Sequence, residues 1–128
     1  MPSADLNNLA TRIIDSAFKV HRTLGPGLFE SVYQRCFRYE MEKCGLGVRC
    51  EVMVPLNYDN IHLDFSFKLD MLVEGSIVIE NKAVESIHPI HLAQLLTYLR
   101  LTGNTIGYLI NWNVPLLKNG IRRLVNDR

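Results

Sequence analysis

Leu69-Asp70-Met71-Leu72-Val73-Glu74-Gly75-Ser76-Ile77-Val78-Ile79-Glu80-Asn81-Lys82 reads as two strands joined by a turn. Its flanks are apolar or alternating, and Glu74-Gly75-Ser76 supplies the turn chemistry. With a three-residue loop, paired positions keep a constant index sum across the antiparallel turn. Val73 then faces Ile77 and Asp70 faces Glu80. A two-residue Gly75-Ser76 turn would instead put the two carboxylates on opposite faces. In the facing register, Lys82 lies one pleat beyond Glu80 on the same face. Directly opposed carboxylates destabilise a sheet by roughly 0.2 to 1 kcal/mol in solvent, and by more where water is excluded. A divalent cation between Asp70 and Glu80 meets that need, and all-oxygen ligands favour Mg2+ or Mn2+ over zinc.

Upstream, Leu6, Leu9, Ala10, Ile13, Ile14, Ala17, Val20 and Leu24 recur at helical intervals, and the pattern stops at Gly25-Pro26-Gly27. A second helix is expected from about Glu30, with Val32, Tyr33, Cys36, Phe37 and Met41 inward and Gly45 closing it. Val48 to Val54 alternates as a strand. After the Asn57-Tyr58-Asp59-Asn60 turn, so does the stretch Ile61, Leu63, Phe65, Phe67. Both are expected to join the Asp70–Glu80 hairpin in an antiparallel meander. Pro89 opens a helix through Thr102 that Gly103 closes. Thr105 to Trp112 reads as a buried strand reached by a helical crossover, hence parallel to the strand ending at Lys82. The sheet is therefore expected to be mixed. Leu116 to Val125 fits a short helix or an edge strand equally well.

A chain of 128 residues with 48% hydrophobic content is expected to be one domain spanning residues 1–128, large enough to bury a core without staples. A formal net charge of +1 does not announce a nucleic-acid partner, so any such contact must rest on local patches. Cys36, Cys44 and Cys50 lack ligand or disulfide spacing and read as reduced thiols. The Met1-Pro2-Ser3-Ala4-Asp5 start resembles no signal segment, and no apolar run reaches membrane-spanning length. The expectation is a soluble, cytoplasmic protein without a membrane partner.

The order Asp70, Glu80, Lys82, then a helix bearing Gln94 and Tyr98, resembles the PD-(D/E)XK nuclease superfamily and its branch with a Q-x-x-x-Y helix. Gly27-Leu28-Phe29-Glu30-Ser31-Val32-Tyr33 matches G-x-x-E-x-x-Y, the signature of the GxxExxY protein family within that superfamily. Each motif alone arises often by chance; in this order and spacing they point to the fold. Leu69 stands where proline is usual, and Asn81 stands in the middle of E-x-K where an apolar residue is usual. Asn81 points away from Glu80 and is expected to perturb packing more than chemistry. The resemblance implies an α/β, restriction-endonuclease-like mixed sheet, an antiparallel meander plus a parallel strand, flanked by helices.

It also implies a divalent-metal-dependent nuclease acting on nucleic acid, DNA ahead of RNA, and leaving 5′-phosphate and 3′-hydroxyl ends. Asp70 and Glu80, with the Asn81 carbonyl and a direct or water-mediated Glu30, would hold Mg2+ or Mn2+. Lys82 would orient the attacking water or neutralise phosphate charge. Gln94 and Tyr98, at i and i+4 on one helix face, would turn toward the site. Plainer explanations exist: a helix dipole alone favours Glu30, and an i, i+4 polar pair is often mere surface. His21, His62, His88 and His91 lack ligand spacing, and Lys118, Arg122 and Arg123 form the densest basic stretch. Two alternatives stay open, since fold does not fix function. One is a non-catalytic nucleic-acid-binding or regulatory protein that keeps the fold; the other is a small homodimeric junction resolvase.

Overall fold

In the computed structural model, which describes residues 2–127, five strands form one sheet in the order β1-β2-β3-β4-β5. Met1 and Arg128, the ends of the expected domain, lie outside the described residues. Helices α1 (Ala4–Leu24) and α2 (Glu30–Lys43) precede β1 (Val48–Tyr58), β2 (Ile61–Val73) and β3 (Ile77–Lys82). Helix α3 (Pro89–Thr102) then crosses over to β4 (Ile106–Asn111), and a 3-10 turn at Leu117–Asn119 leads to β5 (Ile121–Val125). Only β3 and β4 pair in parallel, as expected for strands joined through a helix. The arrangement matches a restriction-endonuclease-like sheet flanked by helices.

Local chemistry accounts for the element ends. Ser3 caps α1 by accepting from the Leu6 amide at 3.1 Å. Pro89 occupies the first turn of α3, and Gly103 closes that helix in the left-handed region at φ 74°. Between paired Val73 and Ile77, the turn takes Glu74 and Gly75 at φ 53° and 63°, so the three-residue loop is the one formed.

The sheet is covered on both faces. Ile13, Ala17, Tyr33, Phe37 and Met41 of α1 and α2 pack on Met71, Ile79, Ile110 and Trp112. Leu95 and Leu99 of α3 pack on Leu69, Val78 and Leu109. Trp112 anchors the first face, stacked on Tyr33 at 5.1 Å and met edge-on by Phe37 at 5.3 Å. Val32, expected inward, is exposed because Tyr33, Phe37 and Met41 already define the buried stripe of α2. Ile90 and Leu101 of α3 are exposed for the same reason, lying off the Leu95/Leu99 stripe.

The chief departure from expectation lies in β2. The stretch around Ile61–Phe67 and the hairpin strand form one continuous strand, and β1 runs beside it almost throughout. Only Met71, Leu72 and Val73 of β2 pair with β3, so the far parts of β1 and β2 extend as a two-stranded ribbon. The tail resolves into a turn and an edge strand antiparallel to β4. No helix among the described residues is long and apolar enough to cross a membrane.

Candidate active site

Strand alternation breaks at one level of the sheet. Phe67 and Leu69 belong to the α3-side core, whereas Met71 and Val73 belong to the α1/α2-side core. Strict alternation would keep these odd-numbered residues on one face, so β2 passes through the sheet plane at Asp70. Its partner does the same: Val48 and Cys50 pack on one side, Val52 and Val54 on the other. The crossing residue there is Glu51, at φ 54°. Since Cys50 pairs with Met71 and Val52 with Leu69, Glu51 sits opposite Asp70. A non-glycine residue held at positive φ is costly and is found where surrounding structure enforces it.

At the same level β2 parts from β3. The ladder runs Val73–Ile77, Leu72–Val78, Met71–Ile79 and then stops. Beyond it the side chains take over: the Asp70 amide donates to Glu80 Oε2 at 2.8 Å, and the Asn81 amide donates to Asp70 Oδ2 at 2.9 Å. Asp70 and Glu80 thus stand in the gap between strands, Glu80 holding the Asp70 amide and Asp70 holding the amide of Asn81, the next residue along β3. The second oxygen of each carboxylate has no hydrogen-bond partner among the described residues. Glu80 is only 6% exposed, and burial, followed by the Asp70 charge, pushes its pKa up to about 8. Burial raises Asp70 as well, and raises Glu30 together with the Asp70 charge. Lys82 opposes the rise at all three carboxylates. The group is thus short of positive charge.

Glu30 lies at the exposed start of α2, close enough to feel both Asp70 and Lys82. Among the described residues, no three acidic, histidine or cysteine side chains converge tightly enough to cage an ion. That donor set still fits magnesium, which takes one or two carboxylates and completes its shell with water and substrate phosphate. Tyr98 stacks on Phe67 at 4.6 Å, and its phenol pKa is raised by burial and then by Glu80 and Asp70. Gln94, one turn earlier, is exposed and makes no side-chain hydrogen bond among the described residues. His91 and His88 form a capping box at the start of α3. Burial lowers the His91 pKa, and the nearby Lys82 charge lowers it further.

Several neighbours escaped the sequence reading. Gln34 Oε1 accepts from Asn81 Nδ2 at 3.0 Å, and Gln34 Nε2 donates to Glu51 Oε1 at 3.2 Å. Asn81 Oδ1 in turn accepts from Trp112 Nε1 at 3.0 Å. Asn81 therefore does shape packing, as expected, and it also joins β3 to α2 beside the carboxylates. Lys68 pairs with Glu51 at 3.0 Å. The four-residue spacing of Glu30 and Gln34 was a legible hint, but nothing in the sequence marks Glu51. The basic tail does other work: Arg123 binds Asn7 Oδ1 at 2.8 Å and Tyr108 OH at 3.2 Å, and Arg122 reaches the Asn119 carbonyl at 3.4 Å. His21 is buried, with Nε2 placed 3.2 Å from the Trp112 carbonyl.

Two carboxylates and a lysine at a parting of strands are the geometry that the family comparison bears on. Residues 7–124 match the model of the PD-(D/E)XK nuclease superfamily. The chain belongs to this superfamily. Among solved structures it is similar to an alkaline exonuclease (LHK-Exo) from Laribacter hongkongensis, with a TM-score of 0.51 and 19% identity. That likeness covers 99% of this chain and 72% of the other, and shows a shared fold. No curated protein matches the chain. Membership in this superfamily supports a nuclease, with nucleic acid as the implied substrate class. Superfamily members generally use divalent metals such as Mg2+.

Proposed function

We propose that this one-domain protein is a divalent-metal-dependent nuclease that hydrolyses phosphodiester bonds, DNA ahead of RNA, and that it falls in the GxxExxY group. The observation that carries the reading is the pair of bonds across the parted strands, from the Asp70 amide to Glu80 and from the Asn81 amide to Asp70. It fixes both carboxylates at the strand parting and leaves one oxygen of each for a ligand. Asp70 and Glu80 would hold Mg2+ or Mn2+, with the Asn81 carbonyl beside them and Glu30 acting through water. A bound divalent ion supplies a nucleophile at neutral pH and polarises the phosphate.

The chain's own groups do the rest. Lys82 orients the attacking water and offsets charge that builds on the phosphate oxygens. The Tyr98 phenol lies within reach of the carboxylates' field and positions them or the substrate, and Gln94 on the same helix face is open to substrate. The test is cleavage of single-stranded, duplex and branched DNA, and of RNA, with and without magnesium. Magnesium-dependent release of 5′-phosphate ends that is lost in Lys82→Ala is the expected result. Binding without cleavage would assign the non-catalytic role instead, and strong preference for branched DNA by a dimer would assign a junction resolvase.

A further inference from the structure

A cleft of about 600 Å³ opens beside Asp70, lined by Phe29, Glu30, Ser31, Gln34, Arg35, Glu51, Lys68 and Asp70. Its walls are the first turns of α2 and the ribbon of β1 and β2. Helix geometry sorts the α2 side into two rows. Glu30 and Gln34, four apart, face the carboxylates and the amide network. Ser31 and Arg35, also four apart, form the adjacent outer row.

Two features of this cleft are unused by the chemistry proposed above. Phe29 is 83% exposed, the highest value among the large apolar residues described, and its side chain forms no cap for α2. An aromatic ring presented to water at the lip of a cleft is poised to stack. Arg35 is exposed and makes no hydrogen bond or ion pair among the described residues. Lys68, on the opposite wall, is tethered to Glu51, which the Gln34 amide holds in turn. An exposed aromatic ring that shares a cleft with two cations and with Asp70 has the make-up of a single-strand track: bases stack on aromatic faces while cations follow the phosphates. A duplex, whose bases are already stacked, has no use for the ring.

We propose that this cleft binds a single-stranded stretch of polynucleotide, with Phe29 stacking on a base next to the scissile phosphate and Arg35 and Lys68 gripping neighbouring phosphates. The inference rests on the nuclease reading and names its substrate form.

The test is fluorescence anisotropy of a labelled oligothymidylate and of a matched blunt duplex, with calcium replacing magnesium so that the strand stays whole. Phe29→Ala should weaken single-strand binding by roughly ten- to a hundredfold. Phe29→Trp should restore it, and duplex binding should change far less. Arg35→Ala should lower the slope of log K against log salt by about 0.7, one phosphate contact on a single strand. Unchanged melting curves will confirm that these exposed substitutions leave the fold intact. Wild-type binding that is indifferent to Phe29→Ala, or a loss equal for duplex and single strand, overturns the track while leaving the nuclease reading standing. Failure of the wild type to bind any nucleic acid overturns both.

Discussion

Glu80 is a buried acid whose neighbours make its charge costly. Its folded-state pKa is raised from 4.5 to about 8, so the native state holds the proton more tightly than the unfolded chain. The associated stability is present at low pH and is lost as pH rises through about 4.5 to 8, with an upper bound of roughly 5 kcal/mol. The melting temperature of the metal-free protein should therefore fall by several degrees from pH 5 to pH 8. Glu80→Gln should flatten that fall, and magnesium should reverse it in the wild type alone. A flat wild-type profile would mean that Glu80 is not the proton holder. Asp70 separates charge from hydrogen bonding in the same way. Asp70→Asn keeps an acceptor for the Asn81 amide and relieves repulsion, so it should stabilise the metal-free protein. Asp70→Ala strands that amide and should be less stable than the asparagine variant by about 1 to 3 kcal/mol, read by urea unfolding. Asn81→Leu, which restores the apolar residue usual in the superfamily, leaves Trp112 Nε1 and the Gln34 amide without their partner. A destabilisation of about 2 kcal/mol is expected rather than a gain.

At the scale of elements, α3 does two jobs with adjacent stripes. Leu95 and Leu99 bury against the sheet, while Tyr98 leans on Phe67 toward the carboxylates. Tyr98→Phe retains the stacking and removes only the phenol. It should lower turnover roughly tenfold with an unchanged melting temperature. A lowered melting temperature without a kinetic effect would make Tyr98 a core residue. Gln94→Ala, at an exposed position, should raise KM and leave folding untouched. The paired breaks in alternation at Glu51 and Asp70 are likewise a property of two strands together. They turn the α3-side apolar row of the ribbon out of register with the body of the sheet, and both Glu51 and Asp70 line the cleft.

For the whole molecule, a five-stranded sheet covered on both faces provides a rigid floor, and the chemistry is placed where β2 and β3 separate. Lys82→Ala should abolish magnesium-dependent cleavage with little change in stability, because its charge serves the carboxylate group and not a core. If Lys82→Ala melts well below the wild type, the cluster is a structural ion network. The sequence by itself determined the elements whose signals are local: the amphipathic helices, the Glu74-Gly75-Ser76 turn with its index sum, and the Pro89 and Gly103 limits of α3. It narrowed the meeting of Asp70 and Glu80 to a choice between two turn lengths, and the structure forms the three-residue one. Only the tertiary structure decided that the Glu80 and Asp70 carboxylates hold the Asp70 and Asn81 amides, that β2 runs unbroken to the ribbon tip, and that Glu51, Gln34 and Asn81 adjoin the pair. Those contacts join α2, β1 and β3 across long separations in the chain. They depend on how helices and strands pack, and on a glutamate held at positive φ by its neighbours, which no periodicity or spacing encodes.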